Sequence, residues 1–183
     1  IQTHLKTEKS GQFRRTSIGK IMGNKNYLIE GISGTGKTTV CHELKRRGYH
    51  AINGDTELAY QGDPITGEAL DTRTHEHHIW CLDKVKSLMS DKTNAMTFFC
   101  GGSRNYDQFI DLFDQVFVLE VDIDTLNERL AKRPETEWGG NPSERQFIQK
   151  LHAIEEDTLK NGIRIDATLS IIHIVDNILE KCD

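Results

Sequence analysis

Residues 31–38 read GISGTGKT, and this short segment restricts the possible folds of the chain more than any other part of the sequence. It matches the pattern GxxxxGK[ST] and lies between a predicted strand and a predicted helix, the context in which the pattern binds phosphate groups. Its glycines let the backbone curve tightly, so that successive N–H groups point at phosphate oxygens, and the N-terminus of the helix adds positive potential. The apolar pattern of the following helix argues against a chance match.

This segment, the phosphate-binding loop, predicts ATP and Mg²⁺ as the cofactors of the chain. Lys37 is expected near the β- and γ-phosphates, and the hydroxyl of Thr38 is expected to bind Mg²⁺. The candidate nucleotide-binding residues are Gly31, Ser33, Gly34, Thr35, Gly36, Lys37, Thr38 and Thr39.

From residue 26 onward, short β-prone runs alternate with helical patterns, which predicts an α/β fold with a five-stranded parallel sheet. The predicted strands cover residues 27–29, 49–53, 95–100, 116–121 and 163–165. Apolar residues at helical spacing predict helices on both faces of the sheet, and therefore a three-layer sandwich. Six helices are predicted. The first follows the phosphate-binding loop, the second carries Ile79 and Val85, and the third surrounds Phe109. The fourth begins at Asp124, the fifth begins at Ser143, and the sixth carries Ile174.

Residues 1–24 are predicted to be a disordered or tag-derived extension, because they are polar and basic and lack the apolar run of a secretory signal. Met22 directly precedes the first predicted strand and is a candidate native start. Residues 25–183 are expected to form a single domain, a length that can bury a core without disulfides. A short lid is predicted at about residues 133–142.

Charge and composition favour a small-molecule partner. The net charge of -5 and the pI of about 5.9 argue against nucleic-acid binding, which needs clustered Lys and Arg. No apolar run reaches membrane-spanning length. The four cysteines are widely spaced and form no CxxC pair, which argues against a zinc ribbon or a redox dithiol and favours a reducing cytoplasm. A monomer or a homodimer is expected.

Four segments carry a resemblance to a known group of proteins: GISGTGKTT, AINGDTE, VFVLEVDIDTLNERLAKRP and IRIDATLSIIHIVDNIL. The span of residues 27–179, which contains all four segments, resembles the nucleoside and nucleotide kinase group of P-loop proteins, which includes adenylate, shikimate and gluconate kinases. The resemblance implies that Asp55 faces the substrate hydroxyl, as the acidic residue of shikimate and gluconate kinases does. It also implies that Arg129 and Arg133 are lid arginines and that the last segment lies beside the adenine.

The third predicted strand departs from the adenylate kinase pattern. It ends in FFCGGSRN and lacks the Asp-Gly that adenylate kinases have there, so the carboxylate that supports Mg²⁺ is not assigned. Gly101-Gly102 instead resembles the glycine-rich substrate turn of shikimate kinases, where backbone N–H groups can approach an anionic ligand.

These observations assign roles to charged residues that face the expected cleft. The catalytic candidates are Lys37, Asp55, Arg129 and Arg133, and the substrate-binding candidates are Asp55, Arg73, Gly101, Gly102 and Arg104. Phosphoryl transfer depends mainly on positioned charges, which favours the arginines. The alternatives are a cap or Asx-turn at Asp55, surface ion pairs of the lid arginines with Glu128 or Glu135, and an N-cap at Asp71 beside Arg73.

The run His75-Glu76-His77-His78 invites a zinc interpretation, but only His75 and His78 would share a helix face and no third ligand is evident. A polar helix face near the substrate entrance is favoured. Trp80 and Trp138 are expected to pack, although Trp138 in the lid could cover a ligand.

The sequence favours an ATP-dependent small-molecule kinase that phosphorylates a nucleoside or nucleotide. One alternative keeps the chemistry and changes the acceptor to a sugar acid, a shikimate-like acid or an antibiotic hydroxyl. Another alternative is a regulatory ATPase that binds a partner, against which Arg129 and Arg133 argue.

Overall fold

The computed structural model describes residues 24–155 and 159–182. The predicted extension therefore lies outside the described residues except for Asn24. The strands are β1 (Lys25–Glu30), β2 (His50–Asn53), β3 (Ala59–Gln61), β4 (His78–Trp80), β5 (Met96–Cys100), β6 (Gln115–Glu120) and β7 (Ile163–Asp166). The α-helices are α1 (Lys37–Arg46), α2 (Gly54–Glu57), α3 (Leu82–Ser90), α4 (Ile123–Ala131), α5 (Pro142–Ile154) and α6 (Ile171–Leu179).

Five strands form one parallel sheet in the order β2-β5-β1-β6-β7. The central strand β1 is buried from Asn26 to Glu30, and Tyr27, Leu28 and Ile29 form its apolar centre, as expected for a strand covered on both faces. The phosphate-binding loop follows β1, Asp55 follows β2 and Gly101 follows β5, so all three lie at the carboxyl edge of the sheet, where ligands of open α/β sheets bind. The predicted five-stranded parallel sheet is confirmed.

Apolar clusters cover both faces of this sheet. On one face, Leu44 of α1, Leu130 of α4 and Val175 of α6 belong to one buried cluster. On the other face, Val85 of α3 and Phe109 belong to a second buried cluster. The predicted three-layer arrangement is therefore confirmed.

The prediction that Ile79 lies on a helix is wrong. Residues His78–Trp80 form β4, which pairs antiparallel with β3 in a two-stranded sheet, and Ile79 lies opposite Tyr60. The spacing of Ile79 and Leu82 fits a helix, but the backbone N–H of Trp80 donates to the side chains of Ser103 and Asn105. Because these long-range bonds hold an extended backbone, α3 begins only at Leu82.

Three further helix predictions need correction. The helix predicted around Phe109 is two 3-10 turns, Tyr106–Gln108 and Ile110–Leu112, because Phe109 between them has φ -151° and ψ -1°. The N-cap of α4 is Asp122 and not Asp124, since the Asp122 carboxylate accepts the N–H of Thr125.

The third correction concerns the start of α5. Its N-cap is Asn141, whose side chain accepts the N–H of Glu144, and Pro142 then occupies the first turn. Ser143, the predicted cap, instead donates its hydroxyl to the Asn141 side chain. In the described part of the chain, no helix has the length and apolar character that a membrane span requires.

Candidate functional site

The phosphate-binding loop joins the end of β1 to the start of α1 with a tightly curved backbone. Gly34 and Gly36 have φ values of 99° and 105°, in the left-handed region that favours glycine. A Cβ at Gly34 would also lie 2.6 Å from Cδ1 of Leu126. The sequence therefore folds here into the curved loop that the motif predicts.

Hydrogen bonds inside the loop hold its curvature. The ammonium of Lys37 donates to the carbonyl oxygens of Gly31 (2.5 Å) and Ile32 (3.1 Å). The hydroxyl of Thr35, which is buried, donates to the same Ile32 carbonyl at 2.9 Å. Thr38, by contrast, is exposed, so that its hydroxyl is accessible to a ligand.

Arg129 of α4 binds the main chain of the loop. Its Nη1 donates to the carbonyl oxygens of Gly34 (3.3 Å) and Thr35 (3.0 Å), and its Nη2 donates to the carbonyl oxygen of Ala167 (2.7 Å). The guanidinium thus links the phosphate-binding loop to the segment that follows β7.

Arg133 lies at the start of the predicted lid, about residues 133–142, and links the lid to the phosphate-binding loop. Its Nη1 donates to the hydroxyl of Ser33 (2.8 Å) and to the carbonyl oxygen of Trp138 (2.5 Å). Glu128, an alternative ion-pair partner for the arginines, is instead paired with Lys132.

Aromatic rings connect the lid to the turn that precedes β4. The Trp138 ring is nearly parallel to the His75 ring, with centroids 6.0 Å apart and an angle of 13° between the planes. Phe147 of α5 meets His75 edge-on at 5.2 Å and Trp138 at 6.3 Å. Trp138 nevertheless remains 40% exposed.

Asp55 lies in the first turn of α2, where two groups bind its carboxylate. Its Oδ1 accepts the N–H of Gly102 (3.1 Å) and lies 3.3 Å from Nε2 of His78. Asp55 does not cap α2, because Asn53 occupies the N-cap position.

A cleft of about 900 Å³ brings most of the predicted site residues together. From the predicted set it is lined by Gly31, Ser33, Gly34, Thr35, Gly36, Lys37, Thr38, Thr39, Asp55, Arg73, Gly102, Arg104, Arg129 and Arg133. Gly101 is not among the described lining residues. A Cβ at Gly101 would lie 2.8 Å from the buried Trp80 ring, so this glycine provides space for packing.

The chain matches a known family of domains over most of its length. The sequence model of the AAA domain family matches residues 28–149. The chain belongs to this family. A search of curated proteins found no significant match to this AAA domain.

Solved structures similar to this AAA domain are small-molecule kinases. A sugar kinase from Janibacter sp. HTCC2649 aligns with a TM-score of 0.54 at 18% identity, over 86% of this chain and 93% of that chain. A gluconokinase from Sinorhizobium meliloti 1021 aligns with a TM-score of 0.52 at 15% identity, over 87% and 91%. A shikimate kinase from Bacteroides thetaiotaomicron aligns with a TM-score of 0.52 at 14% identity, over 85% and 97%. These likenesses show that the domain has the P-loop kinase fold.

The electrostatics of the cleft favour an ionised carboxylate at Asp55. Burial opposes its ionisation, but the hydrogen bond with His78, the positive charge of Lys37 and the N–H of Gly102 hold the pKa of Asp55 below its usual value. Burial lowers the pKa of the Arg133 guanidinium, against the charges of Glu137 and Asp55. An arginine remains protonated at neutral pH despite such a shift.

The histidine run lies on a 3-10 turn and on β4, and its side chains have separate partners. His75 stacks on Trp138, His77 lies 2.9 Å from the Thr72 hydroxyl, and His78 contacts Asp55. Among the described residues, no three His, Cys, Asp or Glu side chains converge as a metal site would require. The prediction of a polar helix face here is wrong, since His78 belongs to a strand.

Several lining residues were missed by sequence reasoning, notably Thr56, Gln61, Ser103, Thr136, Glu137 and His78. Gln61 and His78 reach the cleft because β3 and β4 pair with each other. The histidine run was the signal that could have identified His78. Because a helix was predicted there, however, nothing in the sequence suggested the contact with Asp55.

Proposed function

We propose that this AAA domain is a magnesium-dependent kinase that transfers the γ-phosphoryl group of ATP to a hydroxyl group of a small acceptor. The observation that carries the proposal is that the phosphate-binding loop and the Asp55 carboxylate line the same cleft. Phosphoryl transfer needs positioned charges and an oriented hydroxyl more than covalent chemistry from the protein, and these residues supply both.

The lining of the cleft suits ATP at the phosphate-binding loop. The triphosphate would accept hydrogen bonds from the loop N–H groups and replace the carbonyl oxygens of Gly31 and Ile32 as partners of the Lys37 ammonium. Apolar side chains, which include Leu169 and Ile171, line the same cleft and suit the purine ring.

Oxygen donors in the cleft fit Mg²⁺, a cation that prefers oxygen ligands. The exposed Thr38 hydroxyl would hold the ion, and Glu137 adds a carboxylate to the described lining, apart from Asp55, which has a different role. When bound, the ion would neutralise charge on the phosphate oxygens.

Asp55 is assigned as the general base. In the reaction, the acceptor oxygen forms a bond to the γ-phosphorus while the bond from that phosphorus to the β–γ bridging oxygen breaks, and ADP leaves with the electron pair. The acceptor proton passes to the Asp55 carboxylate. The pKa of Asp55 lies below its usual value, so the carboxylate is ionised at neutral pH and can accept a proton, and its contribution as a base depends on its position beside the acceptor hydroxyl.

Arg133 and Arg129 supply positive charge close to the loop. Arg133 donates to Ser33 within the loop, and this contact supports assigning its guanidinium to the charge of the transferring phosphoryl group. Arg129 is bound to three main-chain carbonyls, and we assign it chiefly to holding the loop in shape.

The remaining lining favours a polar, anionic acceptor such as a sugar acid or a shikimate-like hydroxy acid. Arg73 and Arg104 would bind a carboxylate group, while Asp55 and Gln61 would bind hydroxyl groups. Two of the three similar kinases are named for hydroxy acids of this class, gluconate and shikimate, and the third is named a sugar kinase.

A nucleoside or nucleotide is the second candidate acceptor. One observation favours it: the nearly parallel rings of Trp138 and His75 both line the cleft and could contact a base.

A panel of acceptors tests the proposal through coupled detection of ADP release. The panel contains sugar acids, shikimate-like acids, nucleosides, nucleotides and aminoglycosides, and the Lys37→Ala variant is the negative control. We expect ADP release that saturates with one acceptor class. Release that no acceptor stimulates would contradict the proposal and favour the regulatory ATPase.

A further inference from the structure

We propose that His78 is a positioning residue that holds the Asp55 carboxylate toward the acceptor hydroxyl. The inference rests on the proposed kinase function, because it concerns the orientation of the general base. It is carried by the contact of 3.3 Å between Nε2 of His78 and Oδ1 of Asp55, and by the way in which the fold fixes the two residues relative to each other.

The first fixed element is the backbone of His78. Its strand β4 pairs with β3, and Gln61 lies directly opposite His78. Its carbonyl oxygen accepts the N–H of Arg104 at 2.9 Å. Because Arg104 follows the Gly101-Gly102 turn, this bond ties His78 to the turn that binds Asp55.

A network of buried hydrogen bonds also fixes β4, the strand that carries His78. The N–H of Trp80 donates to the Asn105 side chain at 3.0 Å, and the Asn105 amide donates back to the Trp80 carbonyl at 3.0 Å. The Trp80 ring is fully buried, and a Cβ at Gly54 would lie only 2.1 Å from it. Since Gly54 directly precedes Asp55, the strand that carries His78 packs against the backbone that carries Asp55.

Both groups that bind the carboxylate do so at one oxygen. The N–H of Gly102 lies 3.1 Å from Oδ1 of Asp55, and Nε2 of His78 lies 3.3 Å from the same atom. Two partners in different directions restrict rotation of the carboxylate about its Cβ–Cγ bond. Oδ2 is therefore the oxygen left to accept the proton of the acceptor.

The contact between His78 and Asp55 can be measured by titration of the Asp55 carboxyl, because it is one of several charge interactions that set the pKa of Asp55. The groups that interact electrostatically with Asp55 are Lys37 of α1, His78 of β4, Arg133 of the lid and the thiol of Cys100. His78 is one of the contributions that lower the pKa of Asp55. Loss of this imidazole should therefore raise that pKa, which moves the acidic limb of a pH–rate profile to higher pH.

Two substitutions of His78 and a matched control test the proposal. His78→Gln places an amide nitrogen near the position of Nε2, whereas His78→Leu leaves no hydrogen-bonding atom. The control is His77→Leu, because His77 belongs to the same run, contacts Thr72 and is outside the described lining of the cleft.

We expect His78→Leu to lower kcat about tenfold, the upper end of what one hydrogen bond contributes, with an unchanged KM for ATP and an acidic limb shifted to higher pH. His78→Gln should stay within about threefold of the unsubstituted protein. His77→Leu should leave the profile unchanged. Equal losses in the Leu and Gln variants, or an unmoved acidic limb, would overturn the inference.

The titration of the Asp55 carboxyl, followed by ¹³C NMR without substrates, separates this inference from the proposed function. A higher midpoint in His78→Leu supports the contact, and an unchanged midpoint overturns the inference even if the protein is an active kinase. A shifted midpoint in a protein that phosphorylates no acceptor would overturn the proposed function alone.

Discussion

The substitution Asp55→Asn isolates the proposed base from the structure that holds it. An Asn side chain keeps an oxygen that can accept the N–H of Gly102, which now donates at 3.1 Å, but it cannot take up a proton. General base catalysis contributes about 10² to 10⁴ in rate, so we expect turnover to fall at least about a hundredfold. Because the Asp55 side chain is 37% exposed, the free energy of unfolding should change by no more than about 1 kcal/mol.

The assay combines turnover with the active acceptor, ATP affinity by calorimetry and the melting temperature. ATP affinity should barely change, since the phosphate-binding loop is untouched. The matched control is Asp63→Asn, because the Asp63 carboxylate accepts the N–H groups of Ile65 and Thr66 outside the described lining of the cleft. If Asp55→Asn turns over within about threefold of the unsubstituted protein, the reasoning about the base is refuted.

Three further predictions concern the nucleotide side of the cleft. Lys37→Ala should abolish phosphoryl transfer, because the ammonium would bind the phosphates, and should lower the melting temperature slightly, because its hydrogen bonds to Gly31 and Ile32 are lost; equal activity in this variant would contradict the assignment. Thr38→Ala should raise the Mg²⁺ concentration needed for half-maximal turnover, and an identical Mg²⁺ titration would exclude the hydroxyl as a ligand. Binding of substrates should change the fluorescence of the exposed Trp138 but not of the buried Trp80, so the signal should be lost in Trp138→Phe and kept in Trp80→Phe.

The sequence predicted those features whose signals are local. The phosphate-binding loop is specified within eight consecutive residues, because its glycines, Lys37 and Thr38 act at fixed spacing. Strands β1, β5 and β6 carry short apolar runs, and Arg129 and Arg133 lie four residues apart in the sequence. Such signals need no knowledge of distant contacts, which is why the central sheet and the phosphate side of the cleft were predicted.

The part of the cleft that would bind the acceptor could not be predicted in the same way. Strands β3 and β4 have three residues each, and β4 is held by side chains of Ser103 and Asn105, which are 23 and 25 residues away from Trp80. No periodicity within three residues can indicate such a strand. The contact between His78 and Asp55 depends on this pairing and so was not foreseen.

The predicted start of α4 was wrong for a different reason. Asp122 and Asp124 are both good N-cap residues by type, and only the backbone decides between them. Asp122 has the extended φ of -68° and ψ of 164° that a cap requires, whereas Asp124 already lies in the first turn. The choice therefore follows from where β6 ends, which the apolar pattern locates to within one or two residues.

The most direct test of the proposed function is ³¹P NMR of the complete reaction with the best acceptor of the panel. We expect the γ-phosphoryl signal of ATP to be replaced by that of a phosphate ester of the acceptor, in amounts equal to the ADP formed, and we expect this ester to be absent in Lys37→Ala. Appearance of inorganic phosphate alone, with no phosphorylated acceptor, would contradict the assignment of this AAA domain as a kinase.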